Sequence, residues 1–138
     1  MRVAEVIRDL ACQLQAFIRT LAGERNLSPT QAQILFTITA DGISMSDLAR
    51  RLGLDPSTMS RIVAMMNAHG WLDQNSSSDD KRVTLVTLSA DGAELLDQLE
   101  HDLQLRLDGA LSDMDSDALE NLKRPLEDLA WRLMKARG

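Results

Sequence analysis

Apolar residues recur at three- and four-residue spacing through most of the chain and alternate in one short stretch. Val3, Val6, Ile7, Leu10, Leu14, Phe17, Ile18 and Leu21 fall on one face of a first helix that ends near Gly23. Ser28-Pro29 reads as N-cap and first residue of a second helix, with Ile34, Leu35 and Ile38 inward and Asp41-Gly42 at its end. Ser44 with Asp47 fits a capping box, opening a short third helix whose inward residues are Met45, Leu48, Ala49 and Leu52. Gly53 closes it. Asp55-Pro56 is a second cap-plus-proline pair, opening a fourth helix to about His69. Met59, Ile62, Val63 and Met66 form its inward stripe, while Ser57, Thr58, Ser60, Arg61 and Met65 point away.

Beyond Gly70 the period changes. Trp71-Leu72-Asp73, a polar run from Asn75 to Asp80, and the alternating Arg82 to Leu88 (RVTLVTL) read as a hairpin with a long tip. Ser89 caps a long helix carrying Leu95, Leu96, Leu99, Leu103 and Leu107, and Asp115 or Ser116 starts a last helix through Met134. The fold class predicted is mainly α with a small β-hairpin wing. Two short helices joined by a tight Gly-Leu-Asp-Pro turn and followed by a hairpin are the parts of a winged helix-turn-helix. Residues 1–138 are expected to form a single domain, with 28–89 the winged helix-turn-helix. Residues 1–22 and 90–137 would be flanking dimerisation helices, because the first and last helices carry apolar stripes that a winged domain this small cannot cover.

That arrangement has a definite chemistry. The third helix supports the fourth, whose first turn is offered to the DNA major groove. Small hydroxyl residues there (Ser57, Thr58, Ser60) permit close approach to base edges, and the helix N-terminal N–H groups face phosphate. Arg61 can reach a guanine edge or a phosphate. Lys81 and Arg82 at the hairpin tip would follow the DNA backbone or enter the adjacent minor groove. Caps and solvated loop tips use the same residue types, so the pattern by itself leaves both readings open.

Charge bears on this reading without deciding it. The chain carries a net charge of −6, which alone argues against a nucleic-acid partner. Residues 89–138 hold six Lys/Arg against twelve Asp/Glu, while 44–88 hold five of each. The acidity is segregated away from the winged segment, and the local field governs phosphate binding. A single cysteine, Cys12, excludes an intramolecular disulfide and suits a reducing compartment. The N-terminus has no signal-peptide core, and no stretch approaches the roughly 18 apolar residues of a membrane span, so a cytoplasmic protein without a membrane partner is expected. His69 and His101 are isolated, and no metalloprotease, paired-cysteine, nucleophile-elbow or P-loop pattern occurs. No enzyme, cofactor or metal site is expected, since a wing-tip turn accounts for Asp79-Asp80.

The stretch SMSDLARRLGLDPSTMSRIVAMMNAHGWLDQ, followed by SSDDKRVTLVTLSADG, resembles the MarR family of winged helix-turn-helix transcriptional regulators. The resemblance rests on the D-x-S-T start of the fourth helix, the Asp-x-Arg of Asp80 to Arg82, the L-S-x-x-G step out of the wing, and SPTQAQIL as second helix. It implies a homodimer held by the first, fifth and sixth helices, binding a pseudo-palindromic double-stranded operator as a repressor. Ser57, Thr58, Ser60 and Arg61 would then be groove contacts and Lys81 and Arg82 wing contacts, with Asp80 orienting the arginine by an ion pair. Ser44 and Ser46 would touch phosphate. It also implies release by a small aromatic effector, in a pocket lined by Met45, Leu48 and residues of the first and fifth helices. A first-helix cysteine senses peroxide in some members, so Cys12 leaves a redox-sensing regulator open, although the tyrosines that accompany such a thiol are absent. A winged-helix dimer acting through protein contact is a further alternative. The sequence departs from the family at Met65, where a basic residue is common, and at Pro125, expected to kink or break the last helix. The segment before the first helix is short, so an arm extending the dimer contact is expected to be reduced.

Overall fold

The structure, a computed structural model, describes residues 1–137. Caps fix most of the helix starts. Ser28 Oγ accepts from Gln31 N–H at 3.1 Å while Gln31 Oε1 accepts from Ser28 N–H at 2.9 Å, so α2 (Pro29–Thr37) opens on a complete capping box. Before it runs α1 (Val3–Glu24). Ser44 Oγ accepts from Asp47 N–H at 3.1 Å to open α3 (Met45–Leu52), but the reciprocal half of the expected box is missing. The shorter Asp47 side chain pairs instead with Arg50 at 2.7 Å. Gly53, in the left-handed conformation at φ 65, returns its N–H to α3 and turns the chain toward α4 (Pro56–Ala68).

The sheet has three antiparallel strands in the order β1-β3-β2. β2 (Leu72–Ser76) and β3 (Thr84–Leu88) form the wing, in register from Leu72 opposite Leu88 to Ser76 opposite Thr84. The two-residue β1 (Ile43–Ser44) pairs Ile43 with Val86 and ties the helix-turn-helix to the wing. It also explains why α2 stops at Thr37 rather than at Asp41-Gly42. Ile38 is extended and buried, and a Thr39–Gly42 turn feeds β1, so Ile38 enters the core without being helical. The paired strand β3 likewise starts at Thr84 and not Arg82. Val83 is taken up by the tip, accepting from Ser77 N–H at 2.8 Å and donating to Asp80 O at 3.0 Å.

α5 (Ala90–Ala110) follows the wing, with Ser89 Oγ accepting from Gly92 N–H at 3.0 Å. Contacts gather into two compact units, Met1–Asp102 and the chain from Leu103 on. In the first, Ile34, Leu35, Leu48, Met59, Val63 and Met66 of the three short helices are fully buried together with Val86 of the wing and Leu99 of α5. Arg25, at the end of α1, donates to both carboxylate oxygens of Asp102 (2.8 and 3.0 Å) and to Gln98 Oε1 (3.2 Å). In the second unit, Asp115 accepts from Ala118 N–H at 2.8 Å to cap α6 (Ser116–Ala136). α6 runs unbroken through Pro125, contrary to a break there. The proline removes the N–H that Asn121 O would accept, yet both residues are exposed and water can take its place.

Candidate nucleic-acid interface

The first turn of α4 is built around Asp55. Its carboxylate accepts from the backbone N–H of Ser57 (3.0 Å) and Thr58 (3.4 Å) and from the Ser57 hydroxyl. The Ser57 hydroxyl, and then the Thr58 and Ser57 N–H groups, hold the Asp55 carboxyl below the usual carboxylate range. Ser57 therefore has its proton committed inward and can only accept from a partner. Thr58 is half-buried and takes a long 3.5 Å contact from Arg61 Nη2, while Ser60 and Arg61 are exposed. Of the four residues expected on this helix, Ser60 and Arg61 are the ones with groups free to turn outward.

A depressed carboxyl pKa carries a sign. The charged cap contributes at neutral pH, above the ordinary value near 4, and is lost as pH falls through the lower folded value. The stability advantage of the wild type over Asp55→Asn is thus expected to be present at about pH 7 and to shrink as pH falls below the ordinary carboxylate value near 4. Urea midpoints across that range check it, and a constant difference would remove the charged cap from the account.

The wing supplies the second group. Arg82 Nε and Nη2 lie 3.1 and 3.2 Å from the two carboxylate oxygens of Asp80, whose Oδ1 also accepts from Arg82 N–H at 3.0 Å. The Arg82 side chain, then its N–H, hold the Asp80 carboxyl low. The Asp80–Arg82 ion pair is present as the resemblance implies. Lys81 is exposed at the tip. Ser44 and Ser46 stand with hydroxyl oxygens 3.3 Å apart at the start of α3.

A cleft lined by Met45, Ser46, Pro56, Arg82, Val83 and Thr84 joins these parts. It brings the starts of α3 and α4 to the tip-side end of β3, so Ser46, Pro56 and Arg82 share one surface. Pro56, Val83 and Thr84 were not singled out as site residues, because their part in it depends on where the wing folds back. The expected effector pocket differs from this cleft. Leu48 is fully buried, and no first- or fifth-helix residue lines the cleft beside Met45. Cys12 is exposed on α1. Among the described residues no group of three or more His, Cys, Asp or Glu is placed to hold a metal, and no helix is long and apolar enough to cross a membrane.

The helix-turn-helix, with the wing as far as Val83, is similar to a known family. Residues 25–83 match the MarR family. Over this stretch, less than half of its length, the chain is similar to the MarR family. Its relatives include the multiple antibiotic resistance protein MarR of Salmonella typhimurium, 30% identical over 74 residues that make up 53% of this chain and 51% of that protein. Another is the transcriptional repressor MprA of Escherichia coli, 30% identical over 87 residues, 61% of this chain and 49% of MprA. The chain thus spans about half the length of the curated relatives it matches. Among solved structures, a mutant MarR from E. coli complexed with operator DNA superposes with a TM-score of 0.72 at 19% identity, covering 92% of each chain. That likeness is one of fold, and it takes in the flanking helices as well.

Proposed function

We propose that this chain is a sequence-specific, double-stranded DNA-binding transcriptional regulator that acts as a homodimer. One observation carries the reading: α4 presents Ser57, Ser60 and Arg61 to solvent, beside a wing whose arginine is held on Asp80. The fold it shares with a MarR seen on operator DNA, and a relative named as a repressor, support repression by occupancy of an operator.

Dimerisation is supported by apolar surface without a cover. Val3, Val6 and Leu14 of α1 are exposed, as are Leu119, Leu122, Leu126 and Leu133 of α6, and no described residue of α6 is buried. A helix with an apolar stripe is stable in water only when that stripe is covered. A two-fold dimer would place two recognition helices on half-sites roughly 10 bp apart. Release by a small aromatic acid belongs to the same reading. Arg82, on the wall of the cleft beside Met45, is the cation that would meet its carboxylate, in competition with Asp80.

The test is a footprint on DNA selected by the full chain, with salt titrations on that site and on scrambled duplex. The expected result is a protected inverted repeat, a dimer by sedimentation, and affinity that falls steeply with salt. A chain that shifts no DNA, or that stays a folded monomer at micromolar concentration, overturns the reading.

A further inference from the structure

We infer that Met65 is a specificity-determining residue of the DNA-reading face, burying the 5-methyl group of a thymine in the major groove; the inference rests on the DNA-binding reading above. The core side of α4 is Met59, Val63 and Met66, with Ile62 half-buried. The opposite side carries Ser57, Arg61, Ala64, Met65 and Ala68, all exposed. At 3.6 residues per turn, Ser57, Arg61 and Met65 follow one another with steps of about 40° around the axis and about 6 Å along it. The outward face therefore changes character along its length. It is polar and cationic as far as Arg61 and uncharged beyond it.

Met65 is 58% exposed, the one large apolar side chain of α4 that stands this far out. A solitary exposed apolar residue needs no explanation on an ordinary helix face. Its company here is what matters. It stands four residues beyond Arg61 and is flanked by Ala64 and Ala68, which leave the helix thin enough to sit close to base edges. In the major groove the apolar feature of a base edge is the thymine methyl, and apolar side chains read it. An unbranched, polarisable thioether adapts to such a target without demanding one rotamer. A rise of about 6 Å along the helix is close to two base-pair steps of 3.4 Å. Arg61 and Met65 would thus read neighbouring bases by different chemistry, a hydrogen-bonded edge and a methyl group.

The test uses the full chain and the duplex it selects from random sequence. Each thymine of that site is replaced in turn by deoxyuridine, which removes the methyl and nothing else. One thymine in each half-site, within about two base pairs of the position whose preference Arg61→Ala relaxes, is expected to weaken binding roughly fourfold per methyl removed. That penalty is expected to vanish in Met65→Ala and to survive in Arg61→Ala and Met65→Leu. Indifference of the wild type to deoxyuridine at every thymine overturns the inference and leaves the DNA-binding reading intact. So does a Met65→Ala variant that binds weakly yet responds to deoxyuridine as the wild type does, which would place Met65 on sugar or backbone. A chain that selects no sequence overturns the DNA-binding reading, and this inference falls with it.

Discussion

Gly92→Ala is expected to destabilise the chain by about 3 kcal/mol or more, although alanine in a helix normally gains up to about 1 kcal/mol over glycine. A Cβ at Gly92 would lie 1.9 Å from Trp71 O and 2.9 Å from Trp71 C. These are backbone atoms, so no side-chain rotation relieves the clash. Nor can the first turn of α5 move away cheaply. Ser89 N–H donates to the same Trp71 oxygen at 3.1 Å, Ser89 Oγ donates to Gly70 O, and Gly92 N–H is held by Ser89 Oγ at 3.0 Å. Relief of the overlap would break that set and draw Leu99 out of the core. Gly109→Ala, in the same helix with nothing within 4 Å of the added carbon, is the control and should be stabilising by roughly 0.5–1 kcal/mol. Urea unfolding at one protein concentration measures both. Equal midpoints for the two variants would show that the turn yields.

The largest effect on DNA binding is expected at Arg61. Arg61 is exposed, its contact to Thr58 is long, and Asp55 acts on it only through space, so little has to be broken before it turns toward a base. A bidentate arginine–guanine contact discriminates by about 1–3 kcal/mol, so Arg61→Ala should lose about 5- to 150-fold in affinity and relax preference at one position per half-site. Arg82 starts from a different state, with Nε and Nη2 already on Asp80. Contact with DNA would use Nη1 beside that pair, or draw the side chain off the carboxylate. Arg82→Ala should therefore weaken all sequences more evenly and lower the salt slope by about one for each phosphate left without its cation. Asp80→Ala separates the roles: if Arg82 only braces the wing, the two variants behave alike. Salt titrations of the three variants on selected and scrambled duplex decide it. An Arg61→Ala variant with unchanged affinity and preference would mean that α4 is not the reading helix.

What could be seen in advance followed the range over which each signal acts. Ser28-Pro29, Asp55-Pro56 and Gly53 act within four residues, and the elements they delimit stand where the sequence put them. The L-S-x-x-G step was visible as a pattern, but its reason, the Trp71 carbonyl against Gly92, lies 21 residues back along the chain. Two-residue β1 is too short to alternate, so nothing marked it, and the end of α2 was misplaced for the same cause. Arg82-Val83 alternates like a strand, yet hydrogen bonds from Ser77 and to Asp80 claim Val83 for the tip. Of the candidate site, the Asp80–Arg82 pair was legible because its partners are two residues apart. That the Ser57 hydroxyl is spent on Asp55 was not, since a hydroxyl beside a cap reads the same whether it faces in or out.

The clamp of Arg25 on Asp102 and Gln98 spans 77 and 73 residues of sequence. The core that the helix-turn-helix shares with the wing takes Ala22 from α1 and Leu99 from α5. The stretch shared with relatives, 25–83, lies inside those limits and omits both. On the ribosome the winged segment would therefore wait, its core open at one side, until α5 has emerged from the exit tunnel and supplied Leu99.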